Sequence, residues 1–450
     1  MLKTGTRTAD MTAGPPLKTI MRFALPLLIG NLFNQLYNVV DTAIVGRFIS
    51  ADALAAVGST GNVNSFLFML IGGLCVGCGV IVAQYWGAER YKELARLLGT
   101  FALMILVVSV AVAVVGLLAA PFILRLLQVP PALLADAVSY MRITVGLVAG
   151  VACYNGAAAV LRSMGDSRTP LLAMVLSSAT NVVLDLLLII RFGMGVRGAA
   201  IATVAAQFLS AAVCLIALAR RRAPMDFSNI RLRFCGADAR LLLKFGVPSA
   251  LQSAMISLGG MSVQGLVNTF GSATMAAYTA VQRIDALTIQ VVVSVSNALA
   301  VFTGQNIGVK NVARVRAGLR QTLAALSGIC LALAVLVFFF RRGLLSLFLD
   351  PVTGAQSITL GGEYLTVIGF AYVIAAVMNT HLNVIRGAGD VNVSVVAGLF
   401  ELGARVVFAY VLSHFIGVWG IWLATPLSWG CGCIIPVVRY YSNEWTKKAL

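Results

Sequence analysis

The chain has 450 residues, 60% hydrophobic and 11% charged, with a mean hydropathy of +0.93. A soluble domain carries about 25% charged residues, so this composition excludes a soluble enzyme or binding module and points to a polytopic membrane protein. The formal net charge of +17 sits in short loops between apolar runs, which reads as membrane orientation and not as a nucleic-acid surface.

In chain order, residues 1–19 are polar and lack an apolar core, so no cleavable signal is expected there. Twelve apolar spans follow, at about 20–48, 53–83, 94–120, 131–158, 167–190 and 195–219, then 241–269, 274–306, 312–340, 356–384, 391–414 and 417–440. The polar stretch Arg220 to Arg240 divides them, giving an expected lobe over 1–219, a cytoplasmic linker over 220–240 and a second lobe over 241–450.

With the N-terminus in the cytoplasm, the 33 Lys and Arg sort strongly. Cytoplasmic segments carry 24, Lys3, Arg7 and Arg222 among them, and outer loops carry 6. Only Arg142, Arg283 and Arg405 fall inside spans. This bias supports both the count of twelve and an orientation with both termini cytoplasmic.

The first span holds Asn31, Asn34, Gln35, Tyr37, Asn38 and Asp41. At helical spacing the amides and the carboxylate share one face. An acid at bilayer depth should face protein or a water-filled cavity and is a functional candidate. Asp41 has counterparts elsewhere: Ser177, Asn181 and Asp185 in span five, Thr203, Gln207 and Ser210 in span six, and Tyr140 and Asn155 in span four. If these faces converge, two carboxylates share a pocket with amides, hydroxyls and phenols. Two such charges cannot coexist cheaply in a low dielectric, so a proton, or alternatively Na⁺ among Asp41, Asp185, Asn181 and Thr203, is expected between them.

The halves repeat. Arg22-Phe-Ala-Leu-Pro26 returns as Lys244-Phe-Gly-Val-Pro248, Gln84-Tyr-Trp-Gly87 as Gln305-Asn-Ile-Gly308, Arg162-Ser-Met-Gly165-Asp166 as Arg386-Gly-Ala-Gly389-Asp390, and Gly195-Val-Arg-Gly198 as Gly417-Val-Trp-Gly420. The offsets, 221 to 224 positions, are nearly constant. An even number of spans per copy makes the repeats parallel, a design that commonly places substrate at the interface of the halves.

These anchors, with Gln35-x-Tyr37-Asn38-x-x-Asp41 and Asn181-x-x-x-Asp185, resemble the multidrug and toxic compound extrusion family along essentially the whole chain. The resemblance implies an all-α transporter of twelve transmembrane helices, in two six-helix lobes that form a V-shaped cavity. It implies exchange of H⁺, or Na⁺, for bulky cationic or amphipathic compounds, with no cofactor and in the cell membrane. Tyr37, Asp41, Asn181, Asp185 and Thr203 fall on the family's first-lobe network. Pro26 falls where a helix-one bend has been proposed to follow protonation.

Acids that some members carry in spans seven and ten are missing: span seven offers Gln252, Ser253, Ser257, Gln264 and Asn268, and span ten Asn379 and Asn383. Asp285 in span eight, beside Gln282 and Arg283, is either an ion-pair partner of a neighbouring helix or a cavity acid, and Glu401 with Arg405 in span eleven reads as a structural pair. A lipid-linked oligosaccharide flippase of the same superfamily is the alternative reading, though such proteins favour a more cationic cavity. No metalloprotease helix, nucleotide loop or Ser/His/Asp set points to an enzyme. Eight cysteines read as small apolar side chains and His381 and His414 lack ligand partners, so no metal site is expected. One chain carries both lobes, so a monomer suffices.

Overall fold

The structure, a computed structural model, describes residues 9–126, 129–221, 223–227, 230–448 and 450. Lys3, Arg7 and Arg222 of the loops above lie outside the described residues. Among the described residues thirteen α-helices run in chain order: α1 (Pro16–Phe48), α2 (Ala51–Gly87), α3 (Tyr91–Leu126), α4 (Pro131–Gly146), α5 (Ala149–Ser163), α6 (Arg168–Asp185), α7 (Gly195–Ala219), α8 (Gly236–Asn268), α9 (Ser272–Gly308), α10 (Val312–Ser346), α11 (Ala355–Gly387), α12 (Asn392–Ile416) and α13 (Val418–Tyr441). Eleven helical segments are long and apolar enough to cross a bilayer, and α4 with α5 forms a twelfth span broken by a 44° bend. The long apolar helices leave Leu118, Phe122 and Phe339 exposed at 69–77%, as lipid-facing side chains are.

The span expected over 131–158 is therefore two helices. Gly146 ends α4 and Gly150 lies in the first turn of α5, with Val148 buried between them. Glycine weakens a helix locally. The span expected over 167–190 is α-helical only to Asp185 and continues as a π-helical turn over Leu186–Arg191.

By internal contacts the chain forms two units. Among the described residues, one contains Ala9 and Ile29–Ala250, and the other contains Asp10–Leu28 and Leu251–Leu450. The divisions fall inside α1 and α8, just beyond the repeat-related Pro26 and Pro248. A proline removes one rung of the helical hydrogen-bond ladder, so the two divisions coincide with the weakest points of those helices. α1 nevertheless continues as a helix through Pro26.

The repeat seen in sequence is matched by local geometry. Gly165 and Gly389 both take φ near +90°, at +90° and +102°. Gly195 and Gly417 share φ of +55° and +59°, and Glu89 and Lys310 share +57° and +59°. Each acid after the first pair of glycines meets an arginine near the end of its half: Asp166 pairs with Arg221, just beyond α7, and Asp390 with Arg439, in the last turn of α13, at 2.8 Å. Asp166 also caps α6, accepting from the Arg168 and Thr169 amides at 3.1 and 3.0 Å.

Close backbone approach requires glycine in the first unit. A Cβ at Gly73 would lie 2.4 Å from the Ala250 Cβ, and one at Gly77 2.4 Å from the Gly246 nitrogen. The four-residue spacing of small residues on both helices brings α2 and α8 into backbone contact. Gly72 and Gly260, by contrast, face open space.

Candidate functional site

The site is built from α1, α4, α6 and α7 of the first unit. The Ser177 hydroxyl donates to the Ala206 carbonyl at 2.6 Å, which fixes the register of the antiparallel α6–α7 pair. One turn further along α6 is Asn181, and one turn back along α7 is Thr203, so the two are brought level. Another turn of α6 reaches Asp185, after which the π turn begins. Wide turns of this kind displace the side chains around them and recur at functional sites.

The end of α1 is anchored here by Ile44 and Val45, which pack with Tyr140, Ile189, Val196 and Ala199. That seam turns Asp41, one turn earlier, toward α6, and its carboxyl lies against that of Asp185. Tyr37, one turn earlier again, and Tyr140 of α4 both face the Thr203 hydroxyl.

Asn181 and Asp185 are fully buried. Six buried polar atoms here lack a hydrogen-bond partner: Asp41 Oδ1, both Asp185 carboxylate oxygens, both amide atoms of Asn181 and Thr203 Oγ1. As ionised groups, the carboxylates offer each other only acceptors. A proton on either would complete the contact. The phenols of Tyr37 and Tyr140 approach Thr203 without aligning a hydrogen bond on its oxygen. Orphaned buried polar atoms are rare in folded proteins, and six in one cluster is the signature of a site whose polar groups are kept for something other than packing. The donor set, carboxylate, amide and hydroxyl oxygen, also suits a hard cation.

The other polar residues of the first half are placed differently. Asn155 donates to the Val151 carbonyl of its own helix at 2.9 Å. Asn34 and Gln35 are half-buried and Asn38 is exposed, its carbonyl accepting from the Thr42 hydroxyl at 2.6 Å. None of these four is among the atoms that meet at Asp41 and Asp185.

The second unit treats its acids in the opposite way. Asp285 of α9 accepts from the Tyr372 hydroxyl at 2.9 Å. Glu401 accepts from Arg405 at 2.5 Å, and the same guanidinium reaches the Ser428 hydroxyl at 3.3 Å. Tyr278, Tyr364 and Trp422 stack above them, the last two with centroids 4.4 Å apart. The stack went unforeseen in the sequence, because its three rings come from three different helices, α9, α11 and α13. Among the described residues no group of three or more His, Cys, Asp or Glu could hold a metal ion.

Comparison with known proteins agrees with this architecture. The family model MatE matches residues 26–187 and 248–411, once in each half. The probable multidrug resistance protein YoeA of Bacillus subtilis is 27% identical over 443 residues, covering 96% of this chain and 95% of its own. YpnP of the same organism, also described as a probable multidrug resistance protein, is 28% identical, covering 97% of each chain. An outward-facing structure of a multidrug resistance MATE family transporter superposes with a TM-score of 0.90 at 24% identity, covering 99% of this chain and all of its own. The chain belongs to the MatE family and is a multi-pass membrane transporter, not an enzyme.

Proposed function

We propose that this protein is a secondary active exporter that exchanges H⁺ for cationic or amphipathic organic compounds, with Asp41 and Asp185 as the coupling pair. The observation that carries this reading is the contact between two carboxyls in a pocket of six orphaned polar atoms. A buried acid pair accommodates one proton between its members far more readily than two negative charges. Gaining or losing that proton changes the charge of the first unit's interior, which is what a proton-driven cycle needs. Asn181, Thr203, Tyr37 and Tyr140 set the polarity around the pair. Asn34, Gln35, Asn38 and Asn155 are assigned to the path of the transported compound, and Asp285 to its second-half wall. Pro26 is the point at which α1 can bend when the pair changes charge, and the two lobes are residues 1–219 and 241–450.

Na⁺ is a second reading, favoured by the orphaned Asn181 and Thr203 oxygens, which add neutral hard ligands to the acids. The oligosaccharide flippase finds less support, since Arg405, one of three intramembrane arginines, is held by Glu401. The positive-inside bias supports a cell-membrane protein with both termini in the cytoplasm, and the presence of both lobes in one chain supports a monomer.

Efflux of a fluorescent organic cation from proteoliposomes, driven separately by an imposed pH gradient and an imposed Na⁺ gradient, tests the proposal. Drive by the pH gradient supports it, and drive by Na⁺ alone transfers the pair to the sodium reading. Full transport by Asp41→Asn under either gradient would remove the coupling role altogether.

A further inference from the structure

The repeat places a cavity at the same position in each unit, and the two cavities differ in chemistry. In the first unit it lies among α3, α5 and α7, holds about 360 Å³ and is lined by apolar residues and Cys153. Phe227 and Ile230 of the linker lie over it. Its counterpart in the second unit lies among α10, α11 and α13 and holds about 480 Å³.

The correspondence is residue by residue. With the 221-residue offset set by Gln84 and Gln305, Leu98 and Ala102 of the first cavity become Leu319 and Leu323 of the second. By the 224-residue offset of the next repeat anchor, Ala157 becomes His381. By the 222-residue offset of the last, Leu218 and Ala219 become Tyr440 and Tyr441.

The charged substitutions are the informative ones. Arg316 and Arg320 stand where the first half has Ala95 and Gly99. Gly99 is covered: a Cβ there would lie 2.3 Å from the Arg231 carbonyl of the linker, and the neighbouring Thr100 is bonded to Arg233 and Cys235 of the same segment. The second half puts two arginines, one turn apart, at an uncovered version of that position. The fold therefore does not require charge here.

Nor is the charge neutralised locally. No carboxylate lines the second cavity. Arg320 makes no hydrogen bond or ion pair among the described residues, and Arg316 is bonded only to the neutral Asn443 side chain, at 2.9 Å. The nearby acids are engaged elsewhere, Asp390 by Arg439 and Glu444 by Lys447. Tyr440 is held between His381 and Trp445, edge-on to the first and stacked on the second, so the aromatic wall is rigid. Arginines and tyrosines at helix ends mark the bilayer boundary.

We propose that this cavity binds the headgroup of an anionic phospholipid from the leaflet on this side, with Arg316 and Arg320 on the phosphodiester. Guanidinium forks match phosphate oxygens. The apolar floor made by Ala317 and Leu323 and the exposed Tyr441 ring suit the glycerol and the first acyl carbons, which a free phosphate lacks.

The test uses the full-length protein, delipidated in detergent. Retained lipid is counted by native mass spectrometry during titration with phosphatidylglycerol, phosphatidylcholine or glycerophosphoglycerol, the headgroup without its chains. Wild type should retain one phosphatidylglycerol at least about tenfold more tightly than either competitor. Arg316→Gln/Arg320→Gln should lose that preference, and the double lysine variant should recover part of it. Arg320→Gln alone changes an exposed, unpaired residue, so it folds and should already weaken retention. Equal retention of phosphatidylcholine, equal binding of glycerophosphoglycerol, or an unchanged preference in both glutamine variants would overturn the proposal.

Discussion

The two halves of this chain share a backbone plan and handle buried acids in opposite ways. In the second unit the two carboxylates of α9 and α12, Asp285 and Glu401, both have partners: Asp285 has the Tyr372 phenol, and Glu401 has Arg405. In the first unit Asp41 and Asp185 have only each other, with Asn181 and Thr203 equally unsatisfied beside them. Satisfied polar groups hold a structure together, whereas unsatisfied ones cost stability and persist where their chemistry is used. Duplication supplied the scaffold twice, and the orphaned acid pair sits in one copy.

The largest expected effect breaks the comparison on the functional side. Asp41→Asn and Asp185→Asn should each reduce proton-driven efflux to the level of empty vesicles. Both should fold near normally, because an amide at either position is isosteric with the acid and still offers a donor to the remaining carboxylate. Thermal melting of the detergent-solubilised variants beside the efflux assay separates the two quantities. A variant that transports normally, or one that only unfolds, would mean that the first-half acids are structural after all.

The next effect probes the second half. Arg405→Met leaves Glu401 buried without its partner, and breaking such a pair costs about 3–5 kcal/mol. The double change with Glu401→Leu should recover most of that loss, because the uncompensated charge goes with it. Denaturation by a titrated harsh detergent reads both. A smaller expectation concerns Tyr372→Phe, which strips Asp285 of its donor and should destabilise by about 1–3 kcal/mol. Transport by this variant, measured under the same pH gradient, should stay within a few-fold of wild type.

The smallest effect compares the two latches built on the repeat-related acids Asp166 and Asp390. Arg439 is the only side-chain partner of Asp390 among the described residues. Asp166 keeps the Arg168 and Thr169 amides and the Thr169 hydroxyl when Arg221 is removed. Arg439→Gln should therefore cost about 1–2 kcal/mol and Arg221→Gln about 1 kcal/mol or less. The reverse order in thermal melts would show that the extra donors on Asp166 do not compensate for the loss of Arg221.

Some of this was legible in the residues alone. Hydropathy, loop charge and the four anchors determined twelve spans, two parallel repeats and the family resemblance. Each is a local property of the chain: an apolar run can only cross lipid as a helix, and a duplicated gene leaves its offsets in the letters. The four-residue spacing of Asn181 and Asp185 likewise put both on one face before any coordinate was known.

Packing decided the rest. Helical periodicity assigns a face and not its neighbour, so Asn155 and Asp185 looked alike until one turned to its own backbone and the other to Asp41. The π turn after Asp185 and the 44° break between α4 and α5 are departures from regular helix that hydropathy and a 3.6-residue period do not encode. The unequal cavities were hidden for the same reason. Gly99 and Arg320 are both ordinary letters near a helix start, and only the linker lying over the first shows that its counterpart is left open and charged.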